Sequence, residues 1–177
     1  MHTISKEFDF CYGHRVHNQK LNKEYSIDDQ CVCRHFHGHQ GKLIVELSAM
    51  DLNNGMVTDF KHLNWFKKFI DENIDHKFIM DINDPIIPSL PFINISQYQH
   101  ADEDYYILPN RNPKTPAIKD VVEGLIFVDF VPTSENLSRW FFKIINNKMS
   151  KIGVTVTKVV FKETPKTSAH YTEEEYK

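Results

Sequence analysis

Apolar and polar residues alternate along residues 3–14. Ile4, Phe8, Phe10 and Tyr12 share a parity with His14, opposite Glu7, Asp9, Cys11 and Gly13. A strand turns successive side chains to opposite faces, so the pattern predicts a half-buried strand whose aromatic face ends in an imidazole. A second alternation runs from Gln40 to Met50, with Gly41, Leu43, Val45, Leu47 and Ala49 on one side and Gln40, Lys42, Glu46 and Ser48 on the other. Carried backwards, the same parity puts His37 and His39 on the apolar face of that strand. Residues 15–32 are polar, with Asn18, Gln19, Asn22, Asp28, Asp29 and Gln30, and read as a loop between the two strands. Asn53-Asn54-Gly55 is a turn signal after the second strand.

Beyond this turn the period lengthens. From Asp59 to Asn73, Phe60, Leu63, Trp65, Phe66, Phe69 and Ile70 form a broad helical apolar face that Ile74 continues, with Thr58 or Asp59 as N-cap. Asp75-His76 follow at its C-terminal end. Gly124–Val131 reads as a short strand or an extended lead-in. Pro132-Thr133-Ser134-Glu135-Asn136 opens a second helix reaching about Lys151, capped by Thr133 or Ser134, with Glu135 favouring the positive end of the helix dipole. Its buried stripe is Leu137, Trp140, Phe141, Ile144, Ile145 and Met149, and Gly153 ends it. Val154–Glu163 alternates valine with threonine or lysine as a strand, Thr167–Tyr171 suits a last short strand, and Thr172–Lys177 is a solvated tail.

Residues 84 to about 120 break both periods. They hold six of the eight prolines, the acidic run Asp102-Glu103-Asp104, and Tyr98, Tyr105 and Tyr106. Lacking apolar periodicity for a core of its own, this stretch reads as a Pro-rich insertion, a solvated excursion of one domain spanning 1–177. A lid or a subunit contact is its other reading. No internal repeat is visible. The order β-β-α-α-β-β predicts an α+β domain, an antiparallel sheet with two helices packed on one face.

Composition narrows the function. With 177 residues, 41% hydrophobic and 12% aromatic, the chain can bury a substantial core. A formal net charge of −3 leaves no electrostatic footprint for nucleic acid or an anionic membrane. No apolar run approaches the roughly 18 residues of a membrane span, and the N-terminus lacks a signal-peptide layout. Three cysteines, two of them beside histidines, point to reduced thiols with a chemical role and to a cytoplasmic protein.

The densest chemistry is Cys31-Val32-Cys33-Arg34-His35-Phe36-His37-Gly38-His39. Two imidazoles on one strand face make a two-toothed grip for a transition metal, zinc by default, and His14 at the end of another strand supplies a third. Three imidazoles plus water is a catalytic zinc set with an open fourth position. The plain alternative is ordinary histidines hydrogen-bonded to neighbours. A structural zinc site completed by Cys31 and Cys33 is another. In the catalytic reading one thiolate, favoured by the metal and by Arg34, acts as a base on carbon. Asp75-His76 and Glu163 taken alone have ordinary readings, a helix C-terminus and a solvated carboxylate. Cys11 is a small core or surface residue. His2, His17, His35, His62, His100 and His170 carry no spacing signal and receive no role.

Taken in order, these segments resemble the 6-pyruvoyltetrahydropterin synthase / 6-carboxytetrahydropterin synthase family. The resemblance rests on Phe10-Cys11-Tyr12-Gly13-His14-Arg15, Cys33-Arg34-His35-Phe36-His37-Gly38-His39, Gly55-Met56-Val57-Thr58-Asp59-Phe60, Asp75-His76, Pro132-Thr133-Ser134-Glu135-Asn136-Leu137 and Lys162-Glu163-Thr164. It covers roughly residues 4–83 and 124–171. It implies a T-fold whose subunits assemble into a barrel, commonly a homohexamer built as a dimer of trimers, with active sites between subunits. It also implies zinc on His14, His37 and His39, Cys33 as base, Asp75 and His76 as a proton relay, and Glu163 holding the pterin through its two oxygens.

The implied reaction is zinc-dependent cleavage of 7,8-dihydroneopterin triphosphate. Cysteine position separates the family's branches. Cys33 has the spacing of the 6-carboxytetrahydropterin synthases of queuosine (7-deazaguanine) biosynthesis, with three residues before His-Gly-His. Cys31, with five between, has the spacing of the pyruvoyl-forming branch of biopterin synthesis. A third branch carries glutamate at the position of Val32. The carboxy branch is the expectation, with 6-pyruvoyltetrahydropterin synthase and a non-catalytic zinc- and pterin-binding module as alternatives.

Overall fold

The computed structural model describes residues 1–27, 31–101, 105–107, 116–172 and 174. Asp28, Asp29 and Gln30 of the polar loop, the acidic run Asp102–Asp104, Pro109, Pro113 and most of the C-terminal tail lie outside the described residues. Among the described residues, eight strands and three α-helices follow one another: β1 (His2–His14), β2 (His37–Ala49), α1 (Asn64–Asn73), β3 (Lys77–Asp81), β4 (Gln99–Ala101), β5 (Tyr105–Ile107), α2 (Pro116–Glu123), β6 (Leu125–Val128), α3 (Ser134–Met149), β7 (Thr155–Thr164) and β8 (Thr167–Thr172). The strands are hydrogen-bonded in the order β4-β5-β6-β3-β1-β2-β7-β8. The fold is therefore α+β, as expected, but the sheet is mixed: β1 pairs parallel with β3, and β3 parallel with β6.

The chain groups into two compact units. One comprises residues 1–11, 39–75 and 134–177; the other comprises 12–38 and 76–133. In the first, β2 pairs antiparallel with β7, and β7 with β8. The alternation of β1 and β2 does what period 2 requires: Phe8 and Phe10, and Leu43, Val45 and Leu47, are buried. Helix α1 begins as a 3-10 turn over Phe60–Leu63, and its cap is Asp59, whose carboxylate accepts the Lys61 N–H at 2.7 Å. Leu63, Phe66, Ile70 and Ile74 carry the burial while Phe60 is exposed. The α3 stripe Leu137, Trp140, Phe141, Ile144, Ile145 and Met149 is buried throughout, and Gly153 closes the helix at φ +73°, a left-handed conformation natural to glycine. Phe66 lies at the centre, 5.2 Å edge-on from Phe8 and 6.1 Å from Phe141.

The second unit contains the main departures from the sequence reading. Residues 77–81, to which the sequence reading assigns no element, form β3. The Pro-rich excursion is not a bare solvated loop among its described residues. It contributes β4, β5 and α2, and it buries Ile87 and Tyr98 with Met80 and Phe127 in a cluster flanked by Ile82, Ile86, Leu90, Ile93 and Ile95. Its apolar residues pack through tight 3-10 turns (Ile87–Ser89 and Ile95–Gln97) that have neither helical nor strand periodicity.

Two predictions follow from this packing. Phe66→Ala is expected to cost about 3–5 kcal/mol in urea unfolding, the usual range for a fully buried aromatic. Burial pushes the Tyr98 phenol up to about 12. In the unfolded chain it ionises near its ordinary value, so its contribution is fully present below about pH 10 and is lost as pH rises towards 12. Wild-type stability should therefore fall more steeply over that interval than that of Tyr98→Phe. Near neutral pH, Tyr98→Phe should match or exceed wild type, because the buried hydroxyl has no hydrogen-bond partner among the described residues.

Candidate metal centre

Three strands bring their core-facing rows to the same end. On β1 the buried row Phe8, Phe10 and Tyr12 continues into His14, which has no exposed surface. On β2 the row Leu47, Val45, Leu43 and Gly41 continues backwards into His39 and His37. On β7, Val159 and Phe161 are followed at the same parity by Glu163. The β7–β8 register shifts between Lys162 and Thr164, so Glu163 sits at the irregularity, a local twist of the kind that re-aims a side chain.

His14, His37, His39 and Glu163 each present a ligand atom, and these atoms all lie within 4.8 Å of one another. The rings of His14 and His37 are 4.6 Å apart between centroids. His14 Nδ1 stands 2.7 Å from the Pro132 carbonyl oxygen, and His37 Nδ1 stands 2.8 Å from that of His35. A carbonyl only accepts, so both Nδ1 atoms donate and the lone pair of each neutral ring lies on Nε2. The Nε2 atoms of His14, His37 and His39 are buried. His39 Nε2 is 3.3 Å from Glu163 Oε1. Two imidazoles fixed in one tautomer by backbone carbonyls, with the Nε2 of a third and a carboxylate beside them, fit a divalent transition metal.

Two glycines make the approach possible. A Cβ on Gly13 would stand 3.2 Å from the His37 carbonyl oxygen and 2.5 Å from the Phe78 ring, and one on Gly38 would stand 3.0 Å from the Tyr12 carbonyl oxygen. Side chains at either position would push apart the backbones that carry His14 and His37.

Cys33 is half-buried in a 3-10 turn (Val32–Arg34) and its carbonyl accepts the Val16 N–H at 2.8 Å. Cys31, equally half-buried, precedes that turn. Asp75 accepts the Cys11 N–H at 2.8 Å, and His76 is exposed with a left-handed φ of 59°. Among the described residues the ligand group does not include Cys33, Asp75 or His76. Cys11 is exposed. The sequence reading missed the two backbone acceptors, Pro132 and His35, and also His17, whose Nε2 is 2.8 Å from Asp81 Oδ2. A carbonyl has no side-chain identity to read, and His17 lies 64 positions from its partner.

Comparison with known proteins now defines the class. A family model described as 6-pyruvoyl tetrahydropterin synthase matches residues 3–174. The chain belongs to this family, and it is an enzyme of that class with a T-fold. Among curated relatives, a protein of Aquifex aeolicus named 6-carboxy-5,6,7,8-tetrahydropterin synthase is 33% identical, covering 97% of this chain and 98% of that one. A protein of the same name from Rickettsia typhi is 31% identical over 73% of this chain and 86% of its own. Among solved structures, an uncharacterized protein from Wolinella succinogenes is 45% identical and superimposes with a TM-score of 0.92 over 97% of this chain and 98% of its own. The Caenorhabditis elegans 6-pyruvoyl tetrahydropterin synthase shares the fold at 21% identity, with a TM-score of 0.56 over 96% and 94% of the two chains.

Removing one imidazole should dismantle the metal site. His37→Ala is expected to lose bound metal on dialysis against a chelator that leaves wild type loaded, as read by plasma emission spectrometry.

Proposed function

We propose that the protein is a zinc-dependent 6-carboxytetrahydropterin synthase of queuosine (7-deazaguanine) biosynthesis. It converts 7,8-dihydroneopterin triphosphate and water to 6-carboxy-5,6,7,8-tetrahydropterin, acetaldehyde and triphosphate. The observation that carries this reading is the set of three histidines beside Glu163, His14 buried and His37 and His39 half-buried, with ligand atoms within 4.8 Å, in a chain whose curated relative from Aquifex aeolicus, of near-equal length, bears that name. His14, His37 and His39 would hold zinc, and zinc bound there supplies Lewis-acid polarisation of substrate oxygen.

The chain's own groups then divide the remaining work. Cys33, as thiolate, takes a proton from the side chain of the substrate. Glu163 offers two acceptor oxygens to the amino and ring N–H donors of the pterin, a match of two parallel bonds that orients the ring. Asp75 and His76 move protons. The exposure of His76 supports a site shared between subunits of a homohexamer. A cytoplasmic location completes the proposal, supported by three unbridged cysteines.

Mass analysis of the product from dihydroneopterin triphosphate tests the assignment: 6-carboxytetrahydropterin with acetaldehyde is expected. Cys33→Ala should lower kcat by about 10²–10⁴, the usual contribution of a positioned base. If Cys31→Ala carries that loss instead and the product is the pyruvoyl compound, the pyruvoyl-forming reading replaces this one. Pterin binding without turnover in the wild type points instead to the binding module. Glu163→Gln should keep its zinc and raise KM about tenfold or more, the worth of one charge-assisted hydrogen bond.

A further inference from the structure

The chain leaving β1 passes from His14 into three residues that contact two different parts of the second unit. Val16 N–H donates to the Cys33 carbonyl at 2.8 Å. On either side of Val16, Arg15 Nε lies 2.8 Å from Asp84 Oδ2 and His17 Nε2 lies 2.8 Å from Asp81 Oδ2. The Asp84 side chain is fully buried and that of Asp81 is 6% exposed; Arg15 and His17 are each 14% exposed. Both carboxylates are themselves held. Asp81 Oδ1 accepts the Asn83 N–H at 2.8 Å, Asp84 Oδ1 accepts the Ile86 N–H at 3.0 Å, and the Asp84 N–H donates to the Asp81 carbonyl at 3.0 Å. The end of β3 is thus a pre-formed pair of buried acceptors, one for each side chain flanking Val16.

Arg15 makes a second contact. Its guanidinium carbon lies 5.6 Å from the centroid of Phe36, whose ring is edge-on to Phe78 at 5.2 Å. The segment from Cys33 to Phe36 is therefore tied to the end of β1 at two points, a backbone bond at Cys33 and a ring contact at Phe36. The end of β1 is in turn clamped to the turn after β3.

We infer that Arg15–Asp84 and His17–Asp81 are positioning pairs that fix the Cys33 turn and so set where its thiol stands. The catalytic consequence rests on Cys33 being the base; the positional claim does not. A carboxylate buried in this way is costly to leave unpaired, so removing either Arg15 or His17 shifts the segment that carries it. That segment carries the Cys33 carbonyl with it. Displacement of a reacting group by an ångström is enough to lose about 10²-fold in rate.

The test compares zinc-loaded wild type with His17→Ala, His17→Gln, Asp81→Asn and Asp84→Asn, well below their melting temperatures. Peptide mass spectrometry reads the alkylation rate of Cys33 by iodoacetamide relative to exposed Cys11 in the same sample. The expected result is a several-fold change in that ratio for His17→Ala, Asp81→Asn and Asp84→Asn. Their kcat should be about 10²-fold lower, with KM and zinc content close to wild type. His17→Gln retains a side-chain N–H and should recover part of both. A wild-type ratio in folded variants overturns the proposal, as does a kcat loss that tracks only zinc loss or melting temperature. If Cys33→Ala turns over normally, the base assignment falls, and the alkylation ratio alone still decides whether the pairs hold the turn.

Discussion

In a strand, the residue two positions along faces the same way, and the candidate site is built on this constraint. The rows that fill the core on β1, β2 and β7 stay in phase past the last apolar residue, and the next positions in phase are His14, His39 with His37, and Glu163. Burial of Phe8, Phe10, Leu43, Val45 and Phe161 therefore sets the register of the ligand row as well as the core. A slip of one residue on either histidine-bearing strand would turn its imidazoles to the opposite face.

Phase alone leaves the imidazoles free to rotate about their side-chain bonds. The carbonyls of Pro132 and His35 remove that freedom by taking the Nδ1 protons. Pro132 lies just ahead of α3, 118 positions from His14, so the docking of this segment and the tautomer of a candidate ligand are one event. Gly13 and Gly38 do the complementary work by letting the backbones close up. The polar site thus depends on steric and hydrogen-bonding features that carry no chemistry of their own.

The second unit shows the opposite economy. Its strands are short and its 3-10 turns carry no repeat, yet Met80, Ile87, Tyr98 and Phe127 form a buried cluster. The hydrophobic effect requires only that apolar area leave water, so a segment with no period can still be buried. That is why the excursion reads as surface and yet buries Ile87 and Tyr98. The same packing encloses Asp81 and Asp84, whose carboxylates are met by His17 and Arg15 from the end of β1.

The legible parts of this protein are those governed by local periodicity. The strand of His14, the strand of His37 and His39, both long helices and the β7–β8 pair can all be read from spacing, because alternation and the 3.6-residue repeat are properties of neighbouring residues. The resemblance adds Cys33, Asp75, His76 and Glu163 as roles. Contacts at long separation belong to the tertiary structure. It alone decides the parallel placement of β3 between β1 and β6, which needs crossovers that no local pattern specifies. It also decides that Glu163 meets His39 beside a shift of register, and that His17, a histidine with no spacing signal, stands half-buried against Asp81. Which face a side chain takes is a local matter; which residue waits on that face depends on how distant strands are brought together.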